Sequence, residues 1–351
     1  MKIELERYIE DIENRLNDEE EQRLLDGWEC WCKRENKEGF EAALCRSKSG
    51  SRLEWPDVNI NDTIGNDDLA IYRELKGVHG KLCVGSPYIH RIRGNFGVGN
   101  VASAFGAKPF IMPYAANTLP NVLALGEEKL LAWLEKPLPA VTAGTLGDAF
   151  RISERYVELR KRYPKFAKYV RIEQPDLQGP MDNLELLYGS DLFYLFYDEP
   201  ETVHALLNMV TDFLCNVMDR WLELLPENRG HANYFRHIDA GSMAVRDDSA
   251  MNLSPDFYSE FVAPYDGRLL KRYGGIVHFC GRGDHYIDRL SQLEGLKGIN
   301  MSQPHLNDME KIFTHTIDRG IHLSISTPPF KVDEKHRTEN LIFLDSDAWN
   351  R

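Results

Sequence analysis

A chain of 351 residues with 42% hydrophobic side chains can bury a large core, which excludes a disordered or fibrous protein. A formal net charge of −13 repels phosphate backbones and argues against nucleic-acid binding, although a local basic patch can still hold an anionic substrate. Six cysteines in this length make no disulfide framework, and no stretch approaches the roughly 20 apolar residues of a membrane span. The N-terminus is charged from its second residue and has no apolar signal-peptide core, so the sequence reads as that of a cytoplasmic protein.

Residues 1–27 carry Leu5, Ile9, Ile12 and Leu16 on a 3.6 period and predict a helix, with charged helical sequence continuing through 28–50. Cys30 and Cys32 stand two apart, so on a helix they do not share a face. Residues 51–75, rich in Asp, Asn and Pro, read as a loop or extended connection. From about residue 80, short apolar runs alternate with longer amphipathic ones. Candidate strands are Lys81–Val84, Phe110–Met112, Tyr169–Glu173, Gly241–Val245, Ile276–Phe279, Gly298–Met301 and Ile321–Ser324. The clearest helix is Pro200–Leu224; another opens at Ser254-Pro255 and runs through Leu270, and a third runs from Asn307-Asp308 to Arg319, ended by Gly320. This alternation predicts right-handed βαβ units and a parallel sheet. Gly97 and Gly99 lack the third glycine of a dinucleotide-binding loop.

In a parallel barrel, reactive groups sit just beyond the C-terminal ends of strands. Four such segments carry chemistry. His278 and Cys280 end a strand as H-x-C-G; two apart, both can aim at one ion, and imidazole with thiolate suits zinc. Asp176 and Gln178 lie at a strand end before a Gly-Pro turn, where they can bind substrate polar groups or cap the loop. Asp247 and Asp248 follow another strand as a base, a metal ligand or a solvated acidic loop. Arg91 and Arg93, with Asn95 beyond them, can clamp an anionic group or form surface salt bridges. No G-x-S-x-G, P-loop or H-E-x-x-H occurs, which removes several hydrolase and NTPase readings.

The runs QPDLQGPMDN, LYGSDLFYLFYDEPETVHALLNMVTDF, LSPDFYSEFVAPYDGRLLKRYGGIVHFCGRGDHYIDRL and GLKGINMSQPHLND resemble the uroporphyrinogen decarboxylase superfamily over about residues 85–330. That superfamily includes the decarboxylase of haem biosynthesis and zinc-dependent, corrinoid-linked methyltransferases. The resemblance implies a (β/α)8 TIM barrel over residues 77–351, with residues 1–76 as a mostly helical extension. The decarboxylase branch carries an R-x-A-G-R motif that is absent here, which counts against porphyrinogen decarboxylation. The methyltransferase branch uses H-x-C and a later cysteine as zinc ligands. His278 and Cys280 match the first two, but no cysteine follows Cys280, so further ligands must be oxygen or nitrogen: Asp248 first, then Glu173 or His322.

The resemblance therefore implies a methyltransferase that exchanges a methyl group between a small methylated compound and a corrinoid on a partner protein. Zinc would be held by His278 and Cys280, and Asp248 would ligate it or handle the proton. Arg91, Arg93, Asn95, Asp176 and Gln178 would shape the pocket, and the resemblance is compatible with a homodimer. A metal-independent decarboxylase of a polycarboxylate and a non-catalytic ligand-binding barrel stay open as alternatives.

Overall fold

The computed structural model describes residues 3–35, 45–234, 237–336 and 338–344. At the N-terminus, Leu5, Tyr8, Ile9 and Ile12 form the buried stripe of helix α1 (Leu5–Arg15). The chain breaks at Leu16, and Asn17 restarts it by accepting hydrogen bonds from Glu19 N and Glu20 N, opening helix α2 (Asp18–Lys33) with four acidic residues in its first turn. Residues 1–27 are thus two helices rather than one. The expected helical continuation through 50 ends at Lys33; its middle, 36–44, lies outside the described residues, and 45–50 are not helical.

Two expectations fail in the next segment. Asp67–Val84 is one helix, α3, capped by the Asn66 side chain on Leu69 N and ended by Gly85 at φ +69°. It absorbs the end of the expected 51–75 loop and all of the expected strand Lys81–Val84. The run Leu82-Cys83-Val84 is too short for periodicity to tell strand from helix, whereas Ile71, Leu75, Val78 and Leu82 together bury one helical face. The expected division between residues 76 and 77 lies inside this helix, and residues of α1, α2 and α3 share one continuous core with the strands.

Eleven strands occur among the described residues. β1 (His90–Ile92) pairs in parallel with β4 (Val170–Ile172). β7 (Met243–Arg246), β8 (Gly275–Phe279), β9 (Leu296–Met301), β10 (His322–Ser326) and β11 (Leu341–Leu344) form a five-stranded parallel sheet in that spatial order. The expected strand at Phe110–Met112 belongs to neither: β2 (Lys108–Phe110) pairs antiparallel with β3 (Asn121–Leu123) in an exposed hairpin. A second antiparallel pair, β5 (His231–Tyr234) and β6 (His237–Ala240), precedes the sheet. The architecture is therefore mixed α/β around a five-stranded parallel sheet.

Helix α4 (Pro200–Leu224) matches its sequence pattern, with thirteen buried residues around more than half of its circumference. The segment after Ser254 is two helices, α5 (Pro255–Phe261) and α6 (Ala263–Tyr273), broken at Val262 because Pro264 has no N–H to continue the ladder. The segment capped by Asp308 is α-helical over Met309–His315 and 3-10 over Ile317–Arg319, ending at Gly320 with φ +72°. No helix among the described residues is long and apolar enough to cross a membrane.

Parallel register turns the sheet into layers. Arg246, His278, Asn300 and Ser324 stand opposite one another across β7–β10, and two residues earlier Ala244, Ile276, Gly298 and His322 form the layer below. Helix α2 covers the lower end: Trp31 stacks on His322 with ring centroids 4.5 Å apart, and Cys32 Sγ donates to the Ile238 carbonyl at 2.8 Å.

Candidate metal centre

His278 sits in the upper layer because strand β8 alternates. Ile276 and His278 face one way, and the register places Asn300 beside the imidazole. Asn300 gives its Nδ2 hydrogens to the Ser324 hydroxyl at 2.7 Å and the Ser324 carbonyl at 3.2 Å, so its Oδ1 is the acceptor left for His278 Nδ1 at 2.6 Å. This network assigns the proton to Nδ1 and turns the Nε2 lone pair toward Cys280 Sγ, 3.3 Å away, and Asp248 Oδ1, 3.5 Å away.

Cys280 lies just past the strand and above the layer. Its backbone N–H donates to Asp248 Oδ1 at 2.8 Å, and its thiol approaches the Ser302 hydroxyl at 3.6 Å. Gly281 follows at φ +77°, a backbone state that favours glycine, and a Cβ there would strike Met251 Sδ at 2.5 Å. The loop after β7 that carries Asp248 is held from below by Asp182, whose two carboxylate oxygens accept from Asp248 N (2.9 Å) and Ser249 N (2.8 Å).

His278, Cys280 and Asp248 each offer one ligand atom, and these atoms lie within 4.8 Å of one another. The donor set suits a metal ion. It joins an imidazole nitrogen, a sulfur and a carboxylate oxygen, with a hydrogen-bonded amide fixing the imidazole, as is usual around protein-bound metals. Burial lowers the His278 imidazole to about 4, the Arg246 guanidinium adding to it, so the ring is neutral and ready to ligate. Burial also raises the Cys280 thiol to about 11, helped by the Asp248 charge, so a metal must displace its proton.

The adjacent carboxylates Asp247 and Asp248 part company. Asp248 joins the cluster, while Asp247 turns into the core against Asp266, and burial raises both well above the ordinary carboxylate range. Asp176 and Gln178 are both buried; Asp176 Oδ2 pairs with Arg246 and Oδ1 accepts from Gln178 Nε2, each at 2.5 Å, with Gln178 at φ +53°. They reach the cluster through Arg246, the register neighbour of His278.

Arg91, Arg93 and Asn95 come together elsewhere. Both arginines pair with the buried Glu173, and Asn95 Nδ2 donates to Glu74 Oε1 at 3.0 Å. Glu173 is thereby committed to arginines, and His322 to the layer below, so neither secondary ligand candidate joins the cluster. Asn300, Ser302 and Asp182 are not among the sequence candidates. Asn300 carried a faint signal, a polar residue inside the apolar run Gly298–Met301; Asp182 carried none, because its partners are backbone amides 66 and 67 residues away.

No family model matches this chain, and no curated protein matches it.

Proposed function

We propose that the chain is a metal-dependent methyltransferase of the uroporphyrinogen decarboxylase superfamily, moving a methyl group between a small methylated compound and a corrinoid carried by a partner protein. In this reading the parallel strands belong to one (β/α)8 barrel. Two hydrogen bonds next to the β4 and β7 edges support that closure: Gln174 Nε2 to the Ala244 carbonyl at 3.3 Å, and Gly179 N to the Arg246 carbonyl at 2.6 Å.

The observation that carries the reading is the convergence of His278, Cys280 and Asp248 above the parallel sheet. Zinc held there would supply Lewis acidity to the atom that gives up or accepts the methyl group. The chain's own groups divide the remaining work. Asn300 orients the His278 ring, and Asp182 holds the loop so that the Asp248 carboxylate meets Cys280. Beside them a cavity of about 390 Å³, lined by Ser302, Gln303, Ser326, Thr327 and His305, offers hydroxyl and amide groups to a small polar substrate. Asp176, held by Gln178, pairs with Arg246, the register neighbour of His278.

Metal content of protein purified without chelator tests the reading, with Cys280→Ser beside the wild type. About one zinc per chain, lost in the variant, is expected. Metal-free wild-type protein would remove the Lewis-acid chemistry and favour the decarboxylase or a pure binding barrel.

A further inference from the structure

A second cavity, of about 690 Å³, opens between α3 and the end of β1, and no side chain of the His278–Cys280–Asp248 cluster lines it. Two of its wall residues are Gly77 and Gly80, three apart on one face of α3. Glycine inside a helix is unfavourable, so such a pair asks for a reason. Neither has a positive φ, and neither lies against a neighbour: a Cβ at either position would meet nothing within 4 Å. What they provide is room, because larger side chains there would fill the cavity.

The charge of the wall is opposite to that of the whole chain. Arg73, Lys76, Lys81, Arg91 and Arg93 line it, against Asp57 and Glu74. Lys76 pairs with Asp57, and Arg91 and Arg93 share the buried carboxylate of Glu173. Among the described residues, and counting Glu173, three acids face five bases, an excess of two positive charges in a protein whose net charge is −13. The Arg73 side chain makes no hydrogen bond or ion pair among the described residues. A concave wall of low dielectric focuses such an excess, and guanidinium groups match carboxylate and phosphate oxygens in pairs. Val58, Tyr72 and Tyr88 add apolar surface for the body of a ligand.

We propose that this cavity is a binding site for a small organic anion carrying carboxylate or phosphate groups, separate from the metal centre and independent of the chemistry assigned to it. Arg73 and the Arg91–Arg93 pair bind the anionic groups, and Gly77 and Gly80 leave the space for the rest.

Calorimetric titration with citrate and with pyrophosphate tests it on the full chain, using the wild type, Gly80→Leu and Arg73→Gln. Saturable one-site binding of at least one probe is expected, weakening as potassium chloride is raised. Binding should fall at least about tenfold in Gly80→Leu, which fills the cavity, and in Arg73→Gln, which removes a charge-assisted contact. Leucine suits a helix and meets no neighbour, so circular dichroism and metal content should match the wild type. Citrate alone binding assigns a carboxylate ligand, pyrophosphate alone a phosphate ligand, and both a site that accepts either. No saturable binding of either probe, or equal binding in all three proteins, overturns the proposal, whatever the metal assay shows.

Discussion

Two buried histidines one layer apart in the same sheet have opposite surroundings. His278 and His322 are each almost wholly excluded from solvent, and in each burial lowers the imidazole, to about 4 and about 3. Above, His278 has an amide fixing one ring nitrogen and a thiol and a carboxylate facing the other. Below, His322 lies flat against Trp31, and its Nε2 has no hydrogen-bond partner among the described residues. Burial and a shifted titration are common to both; only the upper ring is surrounded by further donors. A site is made by what converges on the imidazole, and the lower ring is packing.

Replacing each ring by alanine should separate them. His278→Ala is expected to lose bound metal, and His322→Ala to keep it while losing about 2–3 kcal/mol of stability through the cavity left under Trp31. Metal analysis and denaturant unfolding on both variants check this, and equal metal loss in the two would abolish the distinction. Asn300→Ala should weaken metal binding about 10- to 100-fold with the three ligands intact, since the ring loses its orienting partner. A competition titration against a chromogenic chelator reads that change; unchanged affinity would mean that strand packing alone fixes the ring.

Acidification should act on both histidines alike. Each binds its proton less readily folded than unfolded, so between about pH 6.5 and the folded value the unfolded chain holds more protons. Stability therefore falls as the pH drops through that window, by up to about 1.4 kcal/mol per unit for each ring. In His322→Ala, metal-free, the slope of unfolding free energy against pH should fall by one ring's share, since burial also lowers His79 and His90 to about 4. An unchanged slope would place the titrating groups elsewhere.

Much of the upper site was legible in the sequence because it is local. His278 and Cys280 are two apart on one strand, and alternation alone puts them on one side. Asp248 follows a strand end, where parallel sheets place reactive groups. The supporting contacts were not legible, because Asn300 meets His278 only through the β8–β9 register, and Asp182 meets the 248–249 amides across the fold. The arginine pair shows the same limit. The spacing of Arg91 and Arg93 suggests an anion clamp, but nothing in the sequence marks β1 or ties the two arginines to Glu173 or to the glycines of α3. Helix and strand assignments failed where runs were short, as at Lys81–Val84, and held where a long face was buried, as in Pro200–Leu224.

The hydrogen bond from the Cys280 amide to Asp248, with Asp182 gripping the loop beneath, means that the three ligand atoms are gathered by the chain itself. Small zinc domains that collapse only around their ion spend its binding energy on folding. Here the chain has already met that expense, and an ion would fill a socket. Exchange of one metal for another would then be a question of which ion fits one sulfur, one nitrogen and one oxygen, and of how readily the thiol gives up its proton, rather than of whether the fold survives.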